Sequence, residues 1–298
     1  MFKLPKLKEK QVISEDISID IEDIETPLSA RRLGRITASQ FHRISFKETK
    51  ATGQRKADLI DWIQEQPNGI KLLGEFTDSI GYESYEKLKV EQLKQLIETM
   101  DGKLEPTQGA LKYIDELICE VMTGKKKEEQ FSIATKWGKE KEPESLDRLE
   151  KAILAEHPDW ICKRGEFFLH PESELIGATP DLTVYNPSFS LTVPIITVEN
   201  KCPHNGANHI TTLRTNETDK RYLDQTDGQM LCTKSPHFWF VSYDPRILDK
   251  EKQQVVIKYS FAELEEKMQS LNKELLTFAA LYEKECEKLG IDLKQFLI

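Results

Sequence analysis

The spacing of apolar residues changes along the chain, from a helical period before residue 165 to a strand period after it. Residues 83–100 and 108–123 place apolar side chains every three to four positions, and the same spacing runs from Ile133 to about Ala155. This spacing gathers apolar groups on one helix face, so three helices are predicted. Shorter helices are expected near residues 59–64 and within Ser29–Ile44.

Short segments rich in β-branched and aromatic residues dominate the second half, and they predict strands. Those strands are 165–170, 174–185 and 191–201, which would form a meander, followed by 237–243 and 254–260. Helices are predicted at 219–233 and 261–289. The expected fold class is α/β of the α+β type, with a central mixed β-sheet of about five strands flanked by helices and a long C-terminal helix.

Residues 1–28 predict an N-terminal arm, because isoleucines alternate with acids there and no helix start signal precedes them. Residues 29–298 are predicted to form a single domain. No stretch reaches the roughly 20 apolar residues of a membrane span, and the opening residues MFKLPKLKEK lack the apolar core of a secretory signal. We therefore expect a cytoplasmic protein that does not contact membranes.

Cysteine spacing and net charge limit the chemistry that the chain can perform. The five cysteines are scattered and form no C-x-x-C pair, which disfavours a disulfide framework or a zinc site. The net charge of −9 argues against a protein that simply coats DNA. It still allows a nuclease, since a carboxylate metal site adds negative charge and a basic channel can lie within an acidic surface.

Two predicted strands carry acidic and basic side chains that suggest a metal site. Asp181 lies in GATPDLTV, and Glu199 and Lys201 lie in ITVENKCP. Side chains alternate along a strand, so Glu199 and Lys201 point the same way while Asn200 points the other way. If the two strands pair, Asp181 lies beside Glu199, and paired carboxylates repel each other unless a cation separates them. Oxygen ligands favour Mg²⁺, or Mn²⁺ in its place.

Six segments in order resemble the lambda-type phage exonucleases, also called YqaJ-like viral recombinases, of the PD-(D/E)xK nuclease superfamily. The segments are RRLGRITAS (31–39), WGKEKEPE (137–144), GATPD (177–181), ENKCP (199–203), YLDQTDGQM (222–230) and FVSYDPR (240–246). They cover most of the chain. The resemblance implies a restriction-endonuclease-like PD-(D/E)xK core.

The resemblance also implies roles for individual residues. Asp181, Glu199 and the main-chain carbonyl of Asn200 match metal ligands, and Glu142 matches a helical acid that completes the metal site. Lys201 matches the lysine that positions and activates the attacking water, and Gln225 matches a residue that supports the site.

A second set matches groups that hold a 5′-phosphate or the DNA: Arg32, Ser39, Thr179 and Tyr222.

Some of these assignments leave alternatives open. Glu142 lies in a run of charges that would suit a solvated helix face, and Arg32 has two neighbouring arginines. Thr37 and Ser39 would also suit helix caps. Tyr222 would suit core packing.

The function implied is a Mg²⁺-dependent 5′-to-3′ exonuclease of phage recombination type. It would act on double-stranded DNA ends, release mononucleotides and leave a 3′ single strand for an annealing protein. Family members form ring trimers, so a homo-oligomer is expected. The alternatives are a related restriction or repair endonuclease and a non-catalytic module that binds DNA ends.

The sequence departs from the family at three places. Thr179 replaces a usual serine, and Leu182 replaces a usual glycine beside Asp181. Residues at about 75–107 form an additional helical segment with mixed charge. The two substitutions place the phosphate contact and the neighbouring turn in question, and the insert has no assigned role.

Overall fold

The structure is a computed structural model that describes residues 31–51, 53, 55–100, 102–126 and 132–296. The predicted arm, residues 1–28, lies outside the described residues. Within these ranges the strands are β1 (Ile36–Thr37), β2 (Phe46–Thr49), β3 (Lys103–Pro106), β4 (Ile161–Lys163), β5 (Phe168–His170), β6 (Ser173–Ala178), β7 (Leu182–Tyr185), β8 (Ile196–Lys201), β9 (His237–Tyr243) and β10 (Gln254–Ser260).

The α-helices alternate with these strands along the chain. They are α1 (Lys56–Gln64), α2 (Gly69–Ser79), α3 (Val90–Thr99), α4 (Gln108–Thr123), α5 (Ile133–Glu156), α6 (Gly206–Thr215), α7 (Leu223–Thr233) and α8 (Phe261–Lys288). Short 3-10 turns precede α3 and α7 and occupy Ala38–Arg43. The predictions of the long helices α4, α5 and α8 are confirmed to within about one residue.

A five-stranded mixed sheet in the order β10-β9-β8-β7-β4 forms the centre of the fold. Strands β8 and β9 pair in parallel, and the other neighbours pair antiparallel. The middle strand β8 is buried along its length because α5 packs on the sheet through Leu146, Leu149 and Ile153. The prediction of a mixed sheet of about five strands flanked by helices is therefore confirmed.

The predicted strand 174–185 is wrong as one continuous strand. Residues 173–178 form β6 in a separate three-stranded sheet, ordered β1-β6-β5, whereas 182–185 form β7 of the central sheet. Pro180 lies at the break, where it lacks an amide donor for a ladder and restricts Thr179 to extended backbone. The predicted meander is thus divided between two sheets, and Asp181 lies at their junction.

The segment Ser29–Ile44 is also not the predicted helix over its described part. Residues 36–37 form β1, which pairs in parallel with β6, and only a 3-10 turn follows. The reason is a tertiary contact: Ile36 is fully buried beside Ile176, and Arg35 donates to the carbonyl of Glu174. Strand β4 and helices α2 and α6 were not predicted.

Strands β2 and β3 pair antiparallel and bracket helices α1, α2 and α3. These helices share a hydrophobic cluster of their own, with Leu59, Leu73 and Leu93 at its centre. The helical segment therefore begins near residue 56, earlier than the expected start near 75. The division of the chain into an arm and a single domain stays a prediction.

The largest hydrophobic cluster joins α4, α8 and the β1–β6 sheet. Phe41, Tyr113 and Phe278 lie in it, and the rings of Tyr113 and Phe278 stack with their centroids 5.7 Å apart. Tyr282 of α8 donates a hydrogen bond to the carbonyl of Gly34, at the turn that leads into β1. The C-terminal helix thus fixes the small sheet that ends next to Asp181.

Candidate active site

Strand register places Asp181 directly beside Glu199. Leu182 pairs with Val198 across the antiparallel β7–β8 ladder, and the amide of Asp181 donates to the carbonyl of Val198 at 3.1 Å. The amide of Asn200 donates back to Oδ2 of Asp181 at 2.6 Å. The two carboxylates that the sequence singled out are therefore brought together by backbone geometry.

Glu199 is held by three donors although its side chain is only 1% exposed. Lys201 Nζ and Gln225 Nε2 both donate to Oε1, the latter at 2.6 Å, and Gln229 Nε2 donates to Oε2 at 2.5 Å. Gln225 and Gln229 are four residues apart on α7 and share one helix face. Gln225, which the sequence predicts to support the site, thus donates to Glu199 together with Gln229, which the sequence does not single out.

Lys201 lies between the carboxylates and the ring of Tyr222. Its Nζ is 5.0 Å from the centroid of that ring, which itself stacks on Phe240. Burial alone would lower the pKa of Lys201, but Glu199 and Asp181 together outweigh burial and raise the pKa above its usual value. Lys201 is therefore a stable ammonium in this site.

The carboxylates of the site are close enough to disfavour each other's charge. The pKa of Asp181 is raised well above its usual value by burial and then by Glu199, with a further contribution from Glu142. Burial also raises the pKa of Glu142, where Lys201 opposes the shift and Glu199 adds to it. Glu142 of helix α5 therefore interacts electrostatically with Lys201 and Glu199, and its role in a metal site stays a prediction.

The donor set suits a hard cation. Asp181 and Glu199 supply carboxylate oxygens and Asn200 a carbonyl, the ligand types that Mg²⁺ takes together with water. Burial and then the neighbouring Glu199 raise the pKa of Asp181, and a bound cation would stabilise its charged form. Among the described residues, no three His, Cys, Asp or Glu side chains already stand at ligand spacing. Glu142 would have to approach for the expected ligand set to be complete.

The predicted phosphate-binding residues are brought together only in part. Thr37 and Gly177 are the last residue pair of the parallel β1–β6 ladder, and Ser39 and Thr179 each follow two residues later. The hydroxyl of Thr179 is buried and has no hydrogen-bond partner in the part of the chain that the structure describes. Arg32 lies before β1, and its buried Nε also lacks a partner. The phosphate-binding role of Arg32, Ser39 and Thr179 stays a prediction.

Several residues around the site were missed by sequence reasoning. Ser145 of α5 donates to Oδ1 of Asn200 at 2.6 Å, and Gln254 of β10 donates to Ser145. The helical period gives a signal for two of the missed residues, since Ser145 follows Glu142 by three positions and Gln229 follows Gln225 by four. No local pattern indicates Gln254, because it reaches the site from a strand about 110 residues further along the chain.

Trp137 marks the outer edge of the site on helix α5. The guanidinium of Arg246 lies 4.4 Å from the centroid of its ring, and Lys141 Nζ lies 5.3 Å from it. Arg246 also pairs with Asp244 and donates to the carbonyl of Pro203. Residues of the WGKEKEPE and FVSYDPR segments therefore contact each other next to the end of the ENKCP strand.

Comparison with protein families gives a match over residues 96–236 to the model described as the YqaJ-like viral recombinase domain. Residues 96–236, slightly less than half of the chain, are similar to this domain family. The matched stretch contains Glu142, Asp181, Glu199, Lys201 and Gln225. This confirms the resemblance that the six sequence segments indicated. A comparison with curated protein sequences gave no significant match.

Three solved structures that are similar to this chain are described as exonucleases. An alkaline exonuclease (LHK-Exo) from Laribacter hongkongensis has a TM-score of 0.53 and 24% identity, covering 88% of this chain and 94% of that chain. LHK-Exo in complex with dAMP gives 0.47 and 23%, covering 87% and 97%. A phage related exonuclease from Haemophilus somnus 129PT gives 0.45 and 13%, covering 86% and 96%. The first of these shows that the fold is shared, which confirms the predicted fold class.

Among the helices of the described ranges, none combines the length and the apolar character that a membrane span requires.

Proposed function

We propose that this chain is a metal-dependent exonuclease that degrades double-stranded DNA from a 5′ end. The observation that carries the proposal is the juxtaposition of Asp181, Glu199 and Lys201 at one end of a buried strand, with every Glu199 oxygen held by donors. Burying such a cluster of charges is energetically costly, which favours a functional role for it. The YqaJ-like domain supports the same activity.

Hydrolysis of a phosphodiester requires an oriented water and stabilisation of charge on the phosphate. A bound Mg²⁺ would supply a more acidic water and neutralise phosphate oxygens. Asp181, Glu199 and the carbonyl of Asn200 would hold it, and Glu142 would complete the set. Since the pKa of Lys201 is raised, its ammonium would orient the water and stabilise developing negative charge, instead of accepting the proton itself.

The direction of degradation rests on the residues beside Asp181. Thr179 precedes it by two positions, and its buried hydroxyl has no hydrogen-bond partner among the described residues. Ser39 lies in the 3-10 turn that follows β1, the strand that pairs with β6. With Arg32, these groups would hold a terminal 5′-phosphate next to the carboxylates, because charged hydrogen bonds to phosphate are strong and directional. The products would be mononucleotides and a 3′ single strand, which an annealing protein would then bind.

The test is digestion of linear duplexes with a 5′-phosphate, a 5′-hydroxyl or blocked ends, with and without Mg²⁺. We expect Mg²⁺-dependent release of mononucleotides, fastest from the 5′-phosphate. Lys201→Ala should lose activity and keep DNA binding, and Thr179→Val should lose the preference for a 5′-phosphate while cutting 5′-hydroxyl ends as before. Cleavage of covalently closed circles at the rate of linear DNA would favour an endonuclease, and full activity of Lys201→Ala would contradict the assigned site.

Family members of this kind form rings, and we propose that this chain also assembles with copies of itself. Light scattering of the purified full-length protein would show a trimer. A monomer that degrades long duplexes in single binding events would contradict it.

A further inference from the structure

A serine in helix α5 is completely buried between the helix and the central sheet. Ser145 has no exposed surface, and it lies one helical turn after Glu142. Its hydroxyl donates to Oδ1 of Asn200 at 2.6 Å and accepts from Nε2 of Gln254 at 2.9 Å. The same Gln254 amide also donates to the Ser145 main-chain carbonyl at 2.8 Å. One buried hydroxyl therefore joins the helix, the middle strand and the edge strand.

The contact with Asn200 matters because of where that residue lies. The Asn200 side chain points to the face opposite Glu199 and Lys201, while its amide donates to Asp181. Its own carboxamide nitrogen donates to Cys202 Sγ at 3.5 Å. With both ends of the carboxamide engaged, the side chain is fixed, and it in turn restrains the β8 backbone at the residue whose amide donates to Asp181.

Packing alone gives no reason for a polar group here. An alanine would fill nearly the same volume between α5 and β8, whereas a buried hydroxyl, carboxamide and amide must all be paired to avoid a desolvation cost. All three are paired in this structure. A complete polar network of this kind restricts the geometry of its members more than apolar contacts do.

We propose that Ser145 is a positioning residue that sets the distance between Glu142 on the helix and the carboxylate pair on the sheet. The proposal rests on the proposed function, because it assigns Ser145 to the cation site of that function. Groups that orient metal ligands without touching the metal commonly change metal affinity by about 10–100-fold when they are removed. Ser145 acts in this way through Asn200 and through the turn that carries Glu142.

The experiment compares Ser145→Ala with Ser235→Ala in the full-length protein. Ser235 is equally buried and its hydroxyl also donates one hydrogen bond, to the carbonyl of His237, at the far end of the same sheet. Binding of Mn²⁺ alone is measured by electron paramagnetic resonance, without DNA. We expect the dissociation constant for Mn²⁺ to rise about tenfold in Ser145→Ala and less than twofold in Ser235→Ala.

The kinetic readout separates positioning from a general loss of folding. Ser145→Ala should need more Mg²⁺ for half-maximal rate and should keep the KM for DNA, whereas an unfolded fraction would lower the rate at every Mg²⁺ concentration. Gln254→Leu, which removes the amide that donates to Ser145, should shift Mn²⁺ binding in the same direction. The double variant should then be no worse than Ser145→Ala, since coupled neighbours are not additive.

Equal Mn²⁺ affinities for Ser145→Ala and Ser235→Ala would overturn the proposal. A fully additive double variant would also overturn it. If the wild-type protein neither binds Mn²⁺ nor cuts DNA, the proposed function itself fails, so the two failures are distinguishable.

Discussion

Gln229 offers a test in which activity should fall while stability stays nearly unchanged. Gln229→Leu removes the amide that donates to Oε2 of Glu199 at 2.5 Å. A hydrogen bond to a charged group contributes about 1.5–3 kcal/mol. The same substitution removes Oε1 of Gln229, a buried acceptor without a partner, whose burial costs about 1–3 kcal/mol.

These two contributions have opposite signs in the free energy of unfolding and nearly cancel. Only the first affects how Glu199 is held, so Mn²⁺ affinity and nuclease rate should fall by roughly 10–100-fold. Gln225→Leu is the matched comparison, because it also removes a donor to Glu199, at 2.6 Å, but relieves no buried unpaired acceptor. It should lose function and stability together.

Urea denaturation and Mn²⁺ titration of the two variants measure both quantities. We expect the urea midpoint of Gln229→Leu to lie close to that of the wild-type protein and above that of Gln225→Leu. A midpoint for Gln229→Leu at or below that of Gln225→Leu would refute the cancellation. Unchanged Mn²⁺ binding in Gln229→Leu would refute the role assigned to its amide.

Three further predictions follow from the packing and the charges. Gly228→Ala would place a methyl group into the buried ring of Phe41, so it should destabilise the protein by about 1–3 kcal/mol although alanine has the better helix propensity. Gly74→Ala, in open space on α2, should instead stabilise the protein by up to about 1 kcal/mol. Thermal melts of the two variants measure both effects. Because the pKa of Asp181 is raised by burial and by Glu199, protons compete with the cation, and Mn²⁺ binding should tighten by up to about tenfold per pH unit as pH rises toward that pKa, with proton release detectable by calorimetry; a pH-independent affinity would contradict this. Leu275→Ala, on the buried face of α8, should lower the free energy of unfolding in urea by about 2–5 kcal/mol while the rate per folded molecule stays the same. A changed Mg²⁺ requirement would argue against a purely structural role.

Local sequence patterns predicted those elements whose partners lie nearby in the chain. Strands β9 and β10 have the predicted bounds because their alternating apolar residues pair with each other across a short connection. Helix α6 was missed because it contributes few apolar residues and is fixed instead by His209, which bonds Ser242 and the carbonyl of Lys252. Strand β1 depends on β6, about 140 residues away, and no local period reveals such a partner.

The candidate site likewise combines residues that local patterns identify with residues that depend on distant contacts. Asp181, Glu199 and Lys201 could be found because a strand alternates its side chains and the segments resemble a family. The breaking of 174–185 at Pro180 was not anticipated, although proline is a poor residue for the interior of a ladder. Contacts such as those of Ser145 and Gln254 depend on three elements meeting at once. They follow from the packed fold and not from any one segment.

The β2–β3 pair has a consequence for how this chain could be altered. Four residue pairs, from Phe46 with Pro106 to Thr49 with Lys103, bring the two ends of the helical insert to the spacing of neighbouring strands, about 5 Å. A tight hairpin turn could therefore close that gap. We therefore expect that the helical segment between β2 and β3 can be replaced by an unrelated sequence while the rest of the chain keeps its connectivity.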